Sequence, residues 1–254
     1  MDRVPRVVVT ITPLERHSNR ERAELRHARY RQAVERHGGV AQLLAATDPM
    51  EMREAALEAM DGLILAGGGD IEPARYGSPE RGARAPEPDR DALEETAWAR
   101  ASARGLPVLG ICRGLQAINV FAGGALIQDV AGHEGPSYGS GPAKQHALRI
   151  VPATRLARIL QPTFAGRRVV TVNSYHHQAV SAAGLAPGLV ANALASSPAG
   201  ELVEGLEAEG ERFVVALQCH PERTESTPPE FERLFRFFID ACRGSAAARI
   251  SPGS

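Results

Sequence analysis

The sequence is short of several things, and each shortage narrows what the chain can be. Its three cysteines, Cys112, Cys219 and Cys242, are odd in number and widely spaced, so no disulfide framework is expected. Lysine occurs once, at Lys144, and every other basic residue is arginine. A Schiff-base mechanism would have to use that lysine, which lies in the polar stretch GSGPAKQHAL with nothing evident to desolvate an amine. No run approaches the ~18 uninterrupted apolar residues of a membrane-spanning helix. The opening stretch MDRVPRVVVTITP carries only a short apolar run and no small-residue cleavage site, so it reads as a first strand. Charge of one sign is not in excess either. With 29 basic and 30 acidic residues the formal net charge is −1, which supplies no general field for a polyanion. Neither nucleic acid nor a membrane is an expected partner. What is present, 254 residues with 43% hydrophobic and 23% charged side chains, suits one large soluble α/β domain, expected in the cytoplasm.

The first half alternates strand-like and helix-like segments. Val4–Thr12 is β-branched and apolar, and Glu21–Arg36 is a polar helix whose apolar positions include Ala23, Tyr30, Ala33 and Val34. Val40–Ala45 is a short strand, and a helix follows around Pro49–Met60. The apolar run Gly62–Ala66 ends in three glycines. Asp89–Arg104 is the next helix, with Asp89 and Asp91 near its start and Gly105 beyond its last turn. Pro107–Ile111 leads directly into Cys112 and a helix to about Ala122. Strands spaced by such helices imply a parallel sheet covered on both faces. In the second half, Gln145–Val151, Arg168–Asn173, Gly188–Leu194 and Arg212–Gln218 read as strands with only short helical pieces between them, so a smaller antiparallel portion is expected. Pro228–Cys242 is a closing amphipathic helix whose Phe231, Leu234, Phe235, Phe238 and Ile239 read as core. Residues 1–243 are taken as one domain and 244–254 as a disordered tail. Gly67–Pro88 and His133–Pro142 are long loops of the kind that often carry function.

Three sequence features point to chemistry. Gly110-Ile111-Cys112-Arg113-Gly114 has the form glycine, x, nucleophile, x, glycine, placed where a strand ends and a helix begins. Such a sharp turn lifts the nucleophile clear of the sheet, and the helix points its positive end at the sulfur. A buried structural cysteine in a strand-to-helix turn would look similar. Cys219-His220-Pro221-Glu222 follows an apolar strand. Residues two apart in extended chain project to one side, so His220 and Glu222 can point together, stiffened by Pro221. A thiol nucleophile needs a base, and the imidazole needs an acceptor to hold its tautomer. Gly67-Gly68-Gly69-Asp70 follows a strand on the same expected sheet edge, where backbone N–H groups can approach a ligand as an oxyanion hole requires, with the amide of Arg113 as a second donor. Metal chelation is not expected. His176 and His177 are adjacent and point to opposite sides of an extended segment, and His133, His146 and the N-terminal histidines lack partners at zinc spacing.

With these features in place, the chain resembles a class I glutamine amidotransferase domain, and within that superfamily the γ-glutamyl-γ-aminobutyrate hydrolase group of cysteine peptidases. The matching stretches are GLILAGGGDIEPARYG, LPVLGICRGLQAINVFAGGALIQD, VNSYHHQAV and ALQCHPE. The resemblance implies a flavodoxin-like fold and a Cys112–His220–Glu222 triad that cleaves γ-glutamyl amides through a γ-glutamyl thioester without a cofactor. For the first oxyanion donor it implies the backbone N–H of Gly67 or Gly68. It also implies that Gln116 and the stretch Asn173, Ser174, Tyr175, His176 and His177 hold the α-amino and α-carboxylate groups of a small γ-glutamyl substrate. One departure is Cys219, where relatives commonly have a large aromatic; it reads as core filler. Two other functions stay open: a glutaminase subunit that feeds ammonia to a separate synthetase, and a binding domain of the same fold without turnover. Retention of all three triad residues argues against the last. A homodimer is the default assembly.

Overall fold

The computed structural model describes residues 3–135, 142–164, 168–198 and 200–250. In chain order the elements are β1 (Arg6–Ile11), α1 (Arg20–Glu35), β2 (Val40–Ala45), α2 (Met50–Ala59), β3 (Gly62–Leu65), α3 (Pro88–Ala103), β4 (Val108–Ile111) and α4 (Arg113–Phe121). There follow β5 (Lys144–Ile150), α5 (Arg155–Phe164), β6 (Val169–Ser174), β7 (Val180–Ser181), β8 (Leu189–Ser197), β9 (Gly200–Ala208), β10 (Val214–Leu217) and α6 (Glu232–Ile250).

Among the described residues, ten strands join one sheet in the order β2-β1-β3-β4-β10-β9-β8-β5-β6, with β7 on β9. Pairing is parallel from β2 to β10 and antiparallel from β10 onward. Strand β10 is therefore the seam. It lies parallel to β4 on one side, with Leu217 opposite Ile111, and antiparallel to β9 on the other, with Leu217 opposite Gly205.

Strand alternation divides the core into two layers. Val7, Val9, Ile11, Val215 and Leu217 face one side, where Tyr30, Ala33 and Val34 of α1 pack with Leu234, Phe235 and Phe238 of α6. Val8, Val214 and Ala216 face the other, against Leu57 of α2, Leu93 and Ala97 of α3, and Leu115 and Ile118 of α4. The aromatic stripe of the closing helix is core as its spacing suggested: Leu234, Phe235, Phe238 and Ile239 of α6, and Phe231 just before it, are all fully buried. Each such side chain contributes about 1.5–3 kcal/mol of transfer free energy. Cys219 also fills the core, 1% exposed.

Two features differ from the sequence reading. Helix α6 continues to Ile250, past the expected boundary at residue 243; residues 251–254 of the expected tail lie outside the described residues, as do 136–141 of the loop His133–Pro142. Strand β9, which widens the antiparallel part of the sheet, has no counterpart in the sequence reading. Among the described residues, no helix is long and apolar enough to cross a membrane.

Candidate active site

Adjacent strands β3, β4 and β10 end on one sheet edge and deliver the chemistry from three directions. Cys112 follows β4 directly, with φ 54° and ψ −106°, a backbone conformation that non-glycine residues rarely adopt. Such strain persists only where the surroundings enforce it. Here the Cys112 N–H donates to Leu217 O of β10 at 2.8 Å, and the Cys112 carbonyl accepts from Leu115 N at 3.0 Å as α4 begins. The turn needs glycine behind it: a Cβ on Gly114 would sit 1.9 Å from the Leu65 carbonyl oxygen of β3.

His220 lies three residues beyond β10. Its Nδ1 is 2.7 Å from Glu222 Oε1, and both side chains line the cleft together with Cys112. Burial opposes a charged imidazole here, but Glu222 and then Cys112 outweigh it and push the His220 pKa up to about 10. Gly67, after β3, closes over the ring, where a Cβ would stand 2.8 Å from His220 Cε1. Cys112, His220 and Glu222 thus line one cleft.

The glycine turn is held amide by amide. Gly67 N–H donates to the Tyr30 hydroxyl at 3.1 Å, and Gly69 N–H to Glu87 Oε1 at 2.9 Å. Gly67 is therefore a poorer oxyanion donor than the sequence suggested, because its N–H already serves Tyr30. Gly68, between them, is exposed and lines the cleft, and no hydrogen bond of its N–H is seen among the described residues. Arg113 opens α4, where the first amides have no intrahelical acceptor, so its N–H suits the same role.

Beneath the turn lies a charge network that sequence reasoning did not find. The Arg90 guanidinium donates to Ala66 O at 2.8 Å, Gly67 O at 3.2 Å, Thr12 Oγ1 at 2.7 Å and Glu94 Oε1 at 2.8 Å. The Arg113 side chain pairs with both Glu94 and Asp91. Arg90, Arg113, Asp91 and Glu94 are all at most 1% exposed. Burial alone would favour the neutral Glu94 acid, but Arg113 and Arg90 outweigh it and hold the carboxyl below its ordinary range. The network braces the glycine turn through Arg90 and the start of α4 through Arg113.

The residues offered for substrate binding separate into two groups. Tyr175 and His177 line the cleft, and His177 Nε2 is 3.0 Å from Asp70 Oδ2. The other four are hydrogen-bonded within the scaffold. Gln116 Nε2 donates to Gln178 O at 3.0 Å and Gln218 Oε1 at 3.1 Å, and Gln218 in turn places its Nε2 3.4 Å from Cys112 Sγ. Asn173 accepts from His220 N–H at 2.8 Å and donates to His220 O at 3.1 Å, so it positions the histidine rather than a ligand. Ser174 donates to His133 O. His176 does point away from His177, but into a buried group with His133, His146 and Glu204. The fold thus supplies the partners that His133 and His146 lacked in sequence.

The cleft encloses about 550 Å³. The loop Gly67–Pro88 contributes Ala85 and Glu87 to its wall, and His133–Pro142 contributes Glu134 and Gly135. A further wall comes from α1 and the segment before it, which had no reading as site: Arg16, His17, Arg26, His27 and Arg29 line it, and Arg223 also lines the cleft. His17 and Arg26 meet at 2.9 Å, and burial followed by these two neighbours lowers the His27 pKa to about 4. The positive charge of this wall therefore comes from arginine.

Comparison with known proteins agrees with this architecture. The profile of the peptidase C26 family matches residues 7–222. A Mycobacterium tuberculosis protein provisionally named a glutamine amidotransferase is 37% identical over 86% of this chain and 68% of its own length. The γ-glutamyl-γ-aminobutyrate hydrolase of Escherichia coli K12 is 30% identical over 77% of each chain. Among solved structures, the glutaminase domain of Trypanosoma brucei CTPS with bound acivicin superposes with a TM-score of 0.60 at 17% identity, covering 95% of this chain and 94% of that one. A Thermoplasma acidophilum protein provisionally named as one subunit of GMP synthase gives 0.66 at 18% identity and 98% coverage of both chains.

Proposed function

The chain belongs to the peptidase C26 family, and from that premise we propose that it is a cysteine-dependent hydrolase of small γ-glutamyl amides, γ-glutamyl-γ-aminobutyrate being the best single candidate. The observation that carries the reading is the convergence of Cys112, His220, Glu222 and Gly68 on one cleft. Cys112 sulfur attacks the γ-carbonyl, and the N–H groups of Gly68 and Arg113 receive the developing oxyanion, each donor contributing about 3 kcal/mol. His220 protonates the departing amine as the C–N bond breaks, leaving a γ-glutamyl thioester. The neutral imidazole then takes a proton from water, whose oxygen attacks the thioester and releases glutamate and the thiol. Glu222 holds the ring and supports its charged form throughout.

The arginine-lined wall favours a leaving amine that carries its own carboxylate, as γ-aminobutyrate does. Glutamine releases only ammonia, which carries no carboxylate for that wall to recognise. Incubating the protein with a panel of γ-glutamyl amines and glutamine, with products followed by mass spectrometry, tests the reading. The expected result is a kcat/KM at least roughly 10-fold higher for an anionic γ-glutamyl amine than for glutamine. Preference for glutamine over the whole panel, with stimulation by a synthetase, would instead identify an amidotransferase subunit.

The pH profile supplies a second check. Because His220 must be protonated to release the amine and its pKa is raised, kcat/KM should hold through neutral pH and fall as pH rises through about 10. Glu222→Gln removes the leading influence that raises it, so the alkaline limb should move toward neutrality by roughly 1–3 units. An unmoved limb in that variant would remove Glu222 from the triad.

A further inference from the structure

Behind the cleft, four side chains that the proposed reaction does not use converge from four separate segments. His133 comes from the loop after α4, His146 from β5, His176 from the segment after β6 and Glu204 from β9. Each offers one ligand atom, and these atoms lie within 4.8 Å of one another. Glu204 is fully buried, and His133 and His176 are 3% and 4% exposed.

Their spacing is wrong for hydrogen bonds. His176 Nε2 stands 3.5 Å and His133 Nδ1 3.7 Å from Glu204 Oε1, while His146 Nε2 stands 3.5 Å from Glu204 Oε2. Hydrogen bonds of this kind close to about 2.7–3.2 Å. None of these five atoms has a hydrogen-bond partner. A tetrahedral ion bound at about 2.0–2.1 Å keeps its ligands roughly 3.3–3.4 Å apart, close to what is seen.

The remaining ring nitrogens sharpen the case. His176 Nδ1 is 2.9 Å from Gln178 O, and His146 Nδ1 is 3.2 Å from Ala147 O. A carbonyl only accepts, so both Nδ1 atoms carry hydrogen, and in the neutral rings each Nε2 presents a lone pair. Two lone pairs then face the acceptor oxygens of Glu204 in a buried space, an arrangement that calls for a cation among them. Donation of the distal N–H to a backbone carbonyl is also how metal-ligating histidines are commonly oriented.

We propose that His133 Nδ1, His146 Nε2, His176 Nε2 and the Glu204 carboxylate bind one divalent transition-metal ion, zinc by ligand preference. Three imidazoles and a carboxylate complete a tetrahedron and leave no position for water, so the site is structural rather than catalytic. It anchors the cleft indirectly. His176 sits between Tyr175 and His177, both on the wall, and the Glu204 carbonyl accepts from Gln218 N–H at 2.8 Å.

The test uses the full chain purified without a histidine tag. Elemental mass spectrometry should find close to one zinc per chain after gel filtration. Dipicolinate should remove it and lower Tm, and added ZnCl2 should restore both. Cobalt substitution should give the intense visible bands of a four-coordinate site without sulfur-to-cobalt charge transfer. His146→Gln, at the least buried ligand, should weaken zinc by more than about 100-fold in chelator competition, since loss even of an outer-shell partner costs about 10–100-fold. Glu204→Gln should do the same, and His37→Gln, remote from the group, should not. Absence of zinc as isolated together with no zinc uptake by the folded protein would mean that protons, not a metal, occupy the space. Undiminished zinc affinity in a folded His146→Gln variant would equally overturn the proposal.

Discussion

Cys112→Ala should lower kcat/KM by about 10⁴-fold or more while the protein remains folded, because it removes the attacking atom and leaves the sheet intact. The residual rate would come from substrate binding and the oxyanion donors alone. Two companion measurements separate a nucleophile from a structural cysteine. Iodoacetamide should modify Cys112 far faster than Cys219, whose thiol burial pushes well up, or Cys242, which is fully buried. Cys112→Gly should be equally inactive yet melt no lower than Cys112→Ala, since glycine adopts φ 54° without the penalty alanine keeps. Retained turnover in Cys112→Ala, or equal alkylation of all three thiols, would return Cys112 to a packing role.

The second large effect concerns stability. Glu94→Gln keeps the shape of the side chain but removes the carboxylate that both Arg90 and Arg113 face in a dry interior. Breaking a buried ion pair by losing one partner costs about 3–5 kcal/mol. For a chain of this size that corresponds to a Tm roughly 6–20 °C lower. Activity should fall as well, because the same guanidinium groups hold the Ala66 and Gly67 carbonyls and the start of α4. Arg113→Lys should recover little, since one ammonium cannot fork to both Glu94 and Asp91. An unchanged Tm in Glu94→Gln would mean that the network is not a brace.

The proposed triad was legible because its context lies beside it in the chain: glycines flank Cys112 at two residues on either side, and Pro221 spaces His220 from Glu222. The alternation of strand and helix in the first half was legible for the same reason, each element carrying its own periodicity. The brace was not. Arg90 and Glu94 stand four apart on α3, like an ordinary pair on a solvated face, and only the approach of α4 and the glycine turn buries them. Tyr30 read simply as an apolar helix position, although its hydroxyl holds the Gly67 amide. Strand β9 was missed because Glu201, Glu204 and Glu207 break its alternation, and Glu204 can be buried only because histidines from three other segments meet it. Gln116, Asn173, Ser174 and His176 lie beside the cleft in sequence, but their side chains face the scaffold, an orientation that spacing does not encode.

The seam strand has a consequence for how the protein is made. Strand β10 lies in the middle of the sheet but is the last strand to leave the ribosome, after both of its neighbours. Until it inserts, β4 and β9 each present an unpaired edge, and the β4 edge Val-Leu-Gly-Ile is wholly apolar. Pairing over so long a stretch of chain is slow, so the nascent protein passes through an interval in which aggregation competes with closure. In the proposed mechanism the same delay also keeps the incomplete chain inactive: Cys112 is synthesised more than a hundred residues before His220, so an unfinished chain holds the thiol without its proposed base.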